Sequence, residues 1–405
     1  MTQPRAVSTL SLALPYGYAL LLPLFPLLIE LADVLPRGVA VVGEWFASAL
    51  AVVVIVLCAL GIFGSVGAPG WRELIRMPVL WGLFGLIATG IVAAAAGLSW
   101  HAGVFEIVCE IGDALGFCVL WIALRDERVR RVFLSLFFIS GIVACAFAIA
   151  LTLTRHPPAA FAYEHGRAAG TFLQPNEFAG YLLFLIPVGV AQFASTPWLK
   201  RLGIAAAAIG TVAIAMSASR AAILGLLLAL PILARRFGKR TLLVYCIGAV
   251  IALGLGLTVL RNVAHDPSEN ASRIAVWRGA ARMAERFALT GVGPLAFNIA
   301  YPAYKMPDAQ IDEVHAHDLP LNVLIENGVL GLAALTFCIV ACVRSARAGA
   351  KGILPQDRER GLLFAALTTS FVASAIQNSV DLVTTFVFLM WWPMMGLMLG
   401  MTRDS

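Results

Sequence analysis

The chain has 405 residues, of which 60% are hydrophobic and 13% charged, with a formal net charge of +6. Apolar runs that repeatedly reach about eighteen residues or more exclude a soluble domain and read as membrane spans. Most basic residues fall in short loops between those runs, so the positive balance orients helices and does not point to nucleic acid.

The first run, residues 10–31, carries Pro15, Pro23 and Pro26 and lacks a small-residue cleavage site, so it reads as a retained transmembrane helix. Further spans are expected at 40–63, 78–98, 106–124, 131–154, 176–195, 200–217, 220–235, 241–260, 318–343, 361–380 and 384–401. The fold class is therefore all-α: a polytopic integral membrane protein with about twelve transmembrane helices. The seven cysteines all lie in apolar runs without a Cys-x-x-Cys pair, which reads as packing.

With both termini in the cytoplasm, Arg5, Arg72, Arg76, Arg125, Arg128, Arg130, Arg131, Lys200, Arg201, Arg235, Arg236, Lys239, Arg240, Arg344, Arg347, Arg358 and Arg360 all fall inside. All six histidines, His101, His156, His165, His265, His315 and His317, then fall outside. Histidine exchanges protons near neutral pH, so this one-sided placement points to outward-facing chemistry; collection of polar residues in long loops is the plainer reading.

Glu106, Glu110 and Asp113 form a stripe along one face of the fourth span. Acids there are costly and seek partners or water; pairing with arginines inside the bundle is expected, with direct substrate contact as the alternative. In the outer loop at 155–174, Arg167 lies just ahead of the helix-start residues Pro175 and Asn176. The turn after the seventh span is so short that Arg220 must sit at a helix N-terminus, where a lone cation is unfavourable unless an anion is bound as well.

The one long polar interruption, the outer loop 261–317 between the ninth and tenth spans, contains a helix expected at about 272–287. Arg278, Arg282 and Arg286 share its basic face, with Arg273 upstream and Ile274, Trp277, Ala281, Ala284 and Phe287 on its apolar side. A helix lying on the membrane surface has the same pattern. Gly291-Val292-Gly293-Pro294 reads as a turn. His315-Ala316-His317-Asp318 then leads into a span containing Glu326, Gly328 and Gly331. An extended His-x-His pair can ligate zinc, but no third ligand has convincing spacing. A general base oriented by Asp318 or Asp381 fits better. Asp381, with Gln377 and Asn378 at the outer end of the eleventh span, reads equally as a helix-end cap.

With these residues assembled, the chain resembles the bacterial O-antigen ligases, within the superfamily that also holds O-antigen polymerases and protein O-oligosaccharyltransferases. His317, Asp318, Gly328 and Gly331 match the ligase pattern of histidine, polar residue, nine residues, glycine, two residues and a further glycine, threonine or tyrosine. Arg220 and Leu224 match its arginine, three residues, leucine. Asp318 departs from the usual asparagine, serine or glutamine.

The resemblance implies a single transmembrane glycosyltransferase domain over 1–405, in the bacterial inner membrane, with 261–317 as a large periplasmic helical loop. The implied reaction moves polysaccharide from undecaprenyl diphosphate to lipid A core oligosaccharide by metal-independent single displacement with inversion, without a cofactor. His317 would be the base, with His315, Asp318, Asp381 and Trp277 in support. Without an outward Asp-x-Asp, the diphosphate charge falls to arginines: Arg220 and Arg273 first, then Arg167, then Arg282 and Arg286. Membrane lipids and these two glycolipids are the implied partners. A secondary transporter is the rival from another class, weakened by the short loop at Lys200 and the absence of a visible repeat.

Overall fold

The structure is a computed structural model that describes residues 9–24, 68–154, 166–172, 174–241, 243, 247, 267–307, 309, 313–353 and 355–402. The spans expected at 40–63 and 241–260, and His156, His165 and His265, lie outside the described residues, except for residues 241, 243 and 247.

Among the described residues every regular element is helical. In chain order these are α1 (Thr9–Leu21), α2 (Ala68–Ile75), α3 (Pro78–Ala96), α4 (Trp100–Ala123), α5 (Glu127–Thr154), α6 (Pro175–Ala191), α7 (Pro197–Ser217), α8 (Arg220–Ala234), α9 (Pro267–Phe287), α10 (Leu319–Gly352), α11 (Arg358–Asn378) and α12 (Thr384–Gly400). Six of them are long and apolar enough to cross a membrane: α3, α5, α6 with its 3-10 extension, α7, α10 and α11. The chain is thus an all-helical polytopic membrane protein. Helices α1, α4, α8 and α12 coincide with further expected spans, but α1, α8 and α12 are shorter and α4, continuous over 24 residues, carries three acids.

Sequence chemistry sets many of the helix starts. Proline stands in the first turn of α3, α6 and α7, where its missing N–H costs nothing. Asp318 and Asp357 cap α10 and α11 by accepting from Leu321 N and Arg360 N at 2.8 and 3.1 Å. Pairwise packing joins α3 to α4 and α10, α4 to α12, α5 to α1 and α7, α6 to α7 and α11, and α8 to α11. Small residues allow these backbones to approach. A Cβ on Gly225 of α8 would stand 2.5 Å from the Ala373 carbonyl oxygen of α11.

Charge separates along the bundle. At one end Arg125 pairs with Glu73 at 2.6 Å and stacks over Trp121, while Arg131 reaches Glu127 and Glu359 and Arg360 reaches Asp357. The opposite end holds His101, Arg167, Arg220, Arg273, His315 and His317, fixed by the starts of α4, α6, α8 and α10 and the ends of α7 and α11.

The expected pairing of Glu106, Glu110 and Asp113 with arginines is not seen among the described residues, where Glu110 Oε2 is enclosed with no hydrogen-bond partner. Together with Asn327 of α10 it borders Gly90, since a Cβ there would lie 3.2 Å from Glu110 Oε2 and 3.8 Å from Asn327 Nδ2. The reason is the charge separation itself: arginines occupy the bundle ends, and the stripe runs inward along α4 towards α10.

Candidate active site

Helix α9 packs on the first half of α10, burying Val276, Ala280 and Met283 against Phe297, Tyr301, Ala316 and Ile325. This lays the polar segment across the α10 entry and fixes His315–Ala316–His317 from both sides. The Ala316 carbonyl accepts from Trp277 Nε1 at 3.0 Å, and the Ala316 N–H donates to Asn322 Oδ1 at 3.0 Å. Asn322 in turn donates to Glu326 Oε2 at 3.0 Å, one turn further along α10.

The clamp holds His317 at φ 53°, a left-handed conformation unusual for a residue with a Cβ. The segment is therefore not extended as a zinc-binding His-x-His pair would be. The two histidine rings meet edge to face with centroids 4.5 Å apart, and the His317 N–H donates to His315 Nδ1 at 3.3 Å. Among the described residues no group of three His, Cys, Asp or Glu side chains is arranged to hold a metal ion.

The His317 ring lies between two carboxylates. Its Nε2 is 3.1 Å from Glu313 Oε2, and its Nδ1 is 3.6 Å from Asp381 Oδ1. Asp381 is 7% exposed and is held by Arg273, whose Nη2 stands 3.3 Å from Asp381 Oδ1 while Nη1 donates to the Val380 carbonyl at 3.1 Å. The α11–α12 turn presents this carboxylate: Asp381 N donates to the Gln377 carbonyl, and Asn378 Oδ1 accepts from Val383 N. Asp381 is thus part of the cluster. Asp318, the other carboxylate expected to orient His317, is used instead as the α10 cap.

Electrostatics separate the two histidines. Burial lowers His315 first, and neighbouring His317 adds to it, bringing its pKa down to about 4. Burial also opposes charge on His317, but the flanking carboxylates of Asp381 and Glu313 outweigh it and raise its pKa above the ordinary imidazole value. Glu313 moves oppositely: desolvation would raise it, yet the His317 contact holds its pKa below the usual carboxylate range. His315 is therefore neutral at pH 7 and able to accept at Nδ1.

Arg167 and Arg220 reach the same end through α6, α7 and α8. Arg167 donates from Nε to the Ser217 carbonyl and from Nη2 to Asn176 Oδ1, both at 2.8 Å. The Asn176 carbonyl accepts from Gln377 Nε2 at 2.9 Å. These bonds tie the α6 start, the α7 end and the α11 end together, with Ala218 at φ 51° turning the chain into α8. Arg220 is half-buried in the first turn of α8. Counting back from the Gly225–Ala373 approach along antiparallel α8 and α11 brings Arg220 level with Asn378, three residues before Asp381.

Arg282 and Arg286 are not brought to this cluster. Both are exposed, and Arg282, nine residues beyond Arg273, lies about 180° around α9 from it at 3.6 residues per turn. The contacts of Glu313 and Asn322 escape the sequence reading. Asn322 and Glu326 are one turn apart on α10, a spacing that signals a shared face, whereas Glu313 meets His317 through an irregular loop.

Gly328 and Gly331 also acquire a physical role. Gly328 breaks α10 at φ 67°, ψ −171°, and the loop after α9 pairs with the break: Val292 N and Gly293 N donate to the Ile325 and Glu326 carbonyls, and Val329 N donates to the Ala288 carbonyl. A Cβ on Gly328 would stand 2.3 Å from the Leu289 carbonyl oxygen, and one on Gly331 would be 2.2 Å from the Asn327 Cβ.

Compared with known proteins, residues 205–336 match the sequence profile of a family described as O-antigen ligase. The matched stretch contains Arg220, Arg273, Trp277, His315, His317, Gly328 and Gly331 and stops short of Asp381. No curated protein matches the chain.

Proposed function

We propose that the chain is an O-antigen ligase, a reading supported by the match of residues 205–336 to the O-antigen ligase family. It transfers polysaccharide from undecaprenyl diphosphate to lipid A core oligosaccharide at the periplasmic face of the bacterial inner membrane. The observation that carries this reading is the convergence of Arg273, Asp381 and His317 at the bundle end that also holds Arg220.

An acceptor hydroxyl attacks the anomeric carbon of the lipid-linked glycan from the side opposite the diphosphate, so the configuration inverts. The carbon–oxygen bond to the diphosphate breaks and its electron pair leaves with that group. His317 takes the hydroxyl proton, a role worth about 100- to 10,000-fold in rate, while Asp381 orients the ring. Arg273 spends two donors on Asp381 and Val380, and its remaining N–H groups suit phosphate oxygens. Arg220 adds a guanidinium to the positive end of α8. Arg167 braces the turn that presents it. Arg282 and Arg286 take no part in holding the diphosphate.

Reconstitution of the purified protein with lipid-linked glycan in chelator tests this, with lipid A core, free repeat units and candidate proteins supplied separately. Only lipid A core is expected to be modified. Elongated repeat units or glycosylated protein would assign the chain to polymerases or oligosaccharyltransferases, and product formed only without chelator would overturn the metal-independent route. His317→Ala is expected to lower transfer at least about 100-fold with membrane insertion unchanged; near-parental activity removes His317 from the base role.

A further inference from the structure

A general base needs one unprotonated nitrogen within reach of the hydroxyl it serves. The two ring nitrogens of His317 are unequal in this respect. Nδ1 is enclosed without a hydrogen-bond partner among the described residues, facing Asp381 at 3.6 Å, so an acceptor sugar has no approach to it. Nε2 is the nitrogen left for the acceptor, and it is the one that Glu313 Oε2 covers at 3.1 Å. We propose that Glu313 holds the place of the acceptor hydroxyl on His317 and is displaced when the acceptor arrives, making it a competitive guard of the base.

The inference rests on His317 being the base. How each partner is held decides which one yields. His317 follows a peptide pinned by Trp277 and Asn322, its own N–H is bonded to His315, and its ring is backed by Asp381, which Arg273 fixes. Glu313 sits ahead of this clamp, and its neighbour Val314 is 63% exposed. The anchored side is the imidazole, so the carboxylate moves.

Displacement also prepares the ring chemically. The charged and titratable groups facing the imidazole are Glu313 and His315 from its own segment, Asp381 after α11 and Arg273 from α9. With both carboxylates in place the ring favours a proton on each nitrogen. When Glu313 leaves, one of the two charges holding those protons is gone. Nε2 releases its proton to solvent, Nδ1 keeps its proton towards Asp381, and the exposed lone pair faces the incoming hydroxyl.

Glu313→Gln and Glu313→Ala test this by two readouts. The first is carbethoxylation of His317 by diethyl pyrocarbonate, followed by peptide mass spectrometry, which needs no transfer activity. Both variants should react faster than the parent; an unchanged or slower rate overturns the guard. The second is the pH profile of kcat/KM for lipid A core. Its acid limb should move down by about one pH unit, with the acceptor KM lowered and the donor KM unchanged. A loss of kcat of about tenfold or more at the parent's optimum would make Glu313 a participant in proton transfer and overturn the proposal. If the parent transfers nothing to any acceptor, the ligase reading falls alone and the carbethoxylation rates still decide the guard.

Discussion

His317 pays for its position with a left-handed backbone that costs a residue with a Cβ about 1–2 kcal/mol, and such strain persists only where surroundings over-determine it. Here the surroundings are the two hydrogen bonds on the Ala316 peptide and the one from the His317 N–H. Removing either bond on the peptide should therefore mistune the ring more than it destabilises the bundle. Asn322→Leu leaves the Ala316 N–H without its acceptor and takes one donor from Glu326, and Trp277→Phe keeps an aromatic ring but deletes the indole N–H. Each is expected to lower single-turnover transfer by about 10- to 100-fold, the scale of a misplaced catalytic group, with expression and insertion retained. Parental rates in both would make the clamp irrelevant to catalysis. The His-x-His pair is legible in the sequence, with Asp381 as one of two carboxylates able to orient it. The choice of Asp381 over Asp318 is not, because it depends on a left-handed turn and on an α11–α12 connection that no periodicity announces.

At the scale of single helices, hydropathy finds spans and chemistry finds caps, but neither finds a break. Helix α10 illustrates all three. Asp318 and Pro320 mark its start. Its expected end near residue 343 falls short of Gly352 because hydropathy stops at Arg344 whereas an alanine-rich polar segment continues the helix. Its break at Gly328 is hidden, since the apolar run resumes directly after Glu326-Asn327 and a single glycine inside a helical pattern does not by itself mark a break. Likewise α9 begins at Pro267 and not at 272, because its first turn is polar and carries no apolar period. The break is where the loop after α9 docks, so it ties the arginine helix to the histidine helix. Gly328→Ala meets both a left-handed backbone and the Leu289 carbonyl, and a loss of about 1–2 kcal/mol from the conformation alone is expected. A lower melting temperature in detergent, with weaker transfer, would follow; unchanged melting would mean that the α9 loop is not held at the break.

Across the whole molecule, charge segregation does the organising: guanidinium–carboxylate pairs fasten one end, and histidines with a second arginine set occupy the other. The positive-inside rule reads the first end as cytoplasmic, and the proposed function has the His317 cluster facing outward. Arg282 and Lys239 report on both statements at once, since both are exposed and neither belongs to the cluster. Arg282→Cys should react with a membrane-impermeant maleimide once only the outer membrane is opened, whereas Lys239→Cys should react only after the inner membrane is breached. The reverse pattern would turn the protein over and remove the periplasmic reading. Arg282→Cys should also keep transfer within about threefold of the parent, as expected for an exposed charge whose pairing is worth little. A severe loss would instead bring the far side of α9 into the diphosphate site and require that helix to rotate from the position its buried Val276, Ala280 and Met283 now fix.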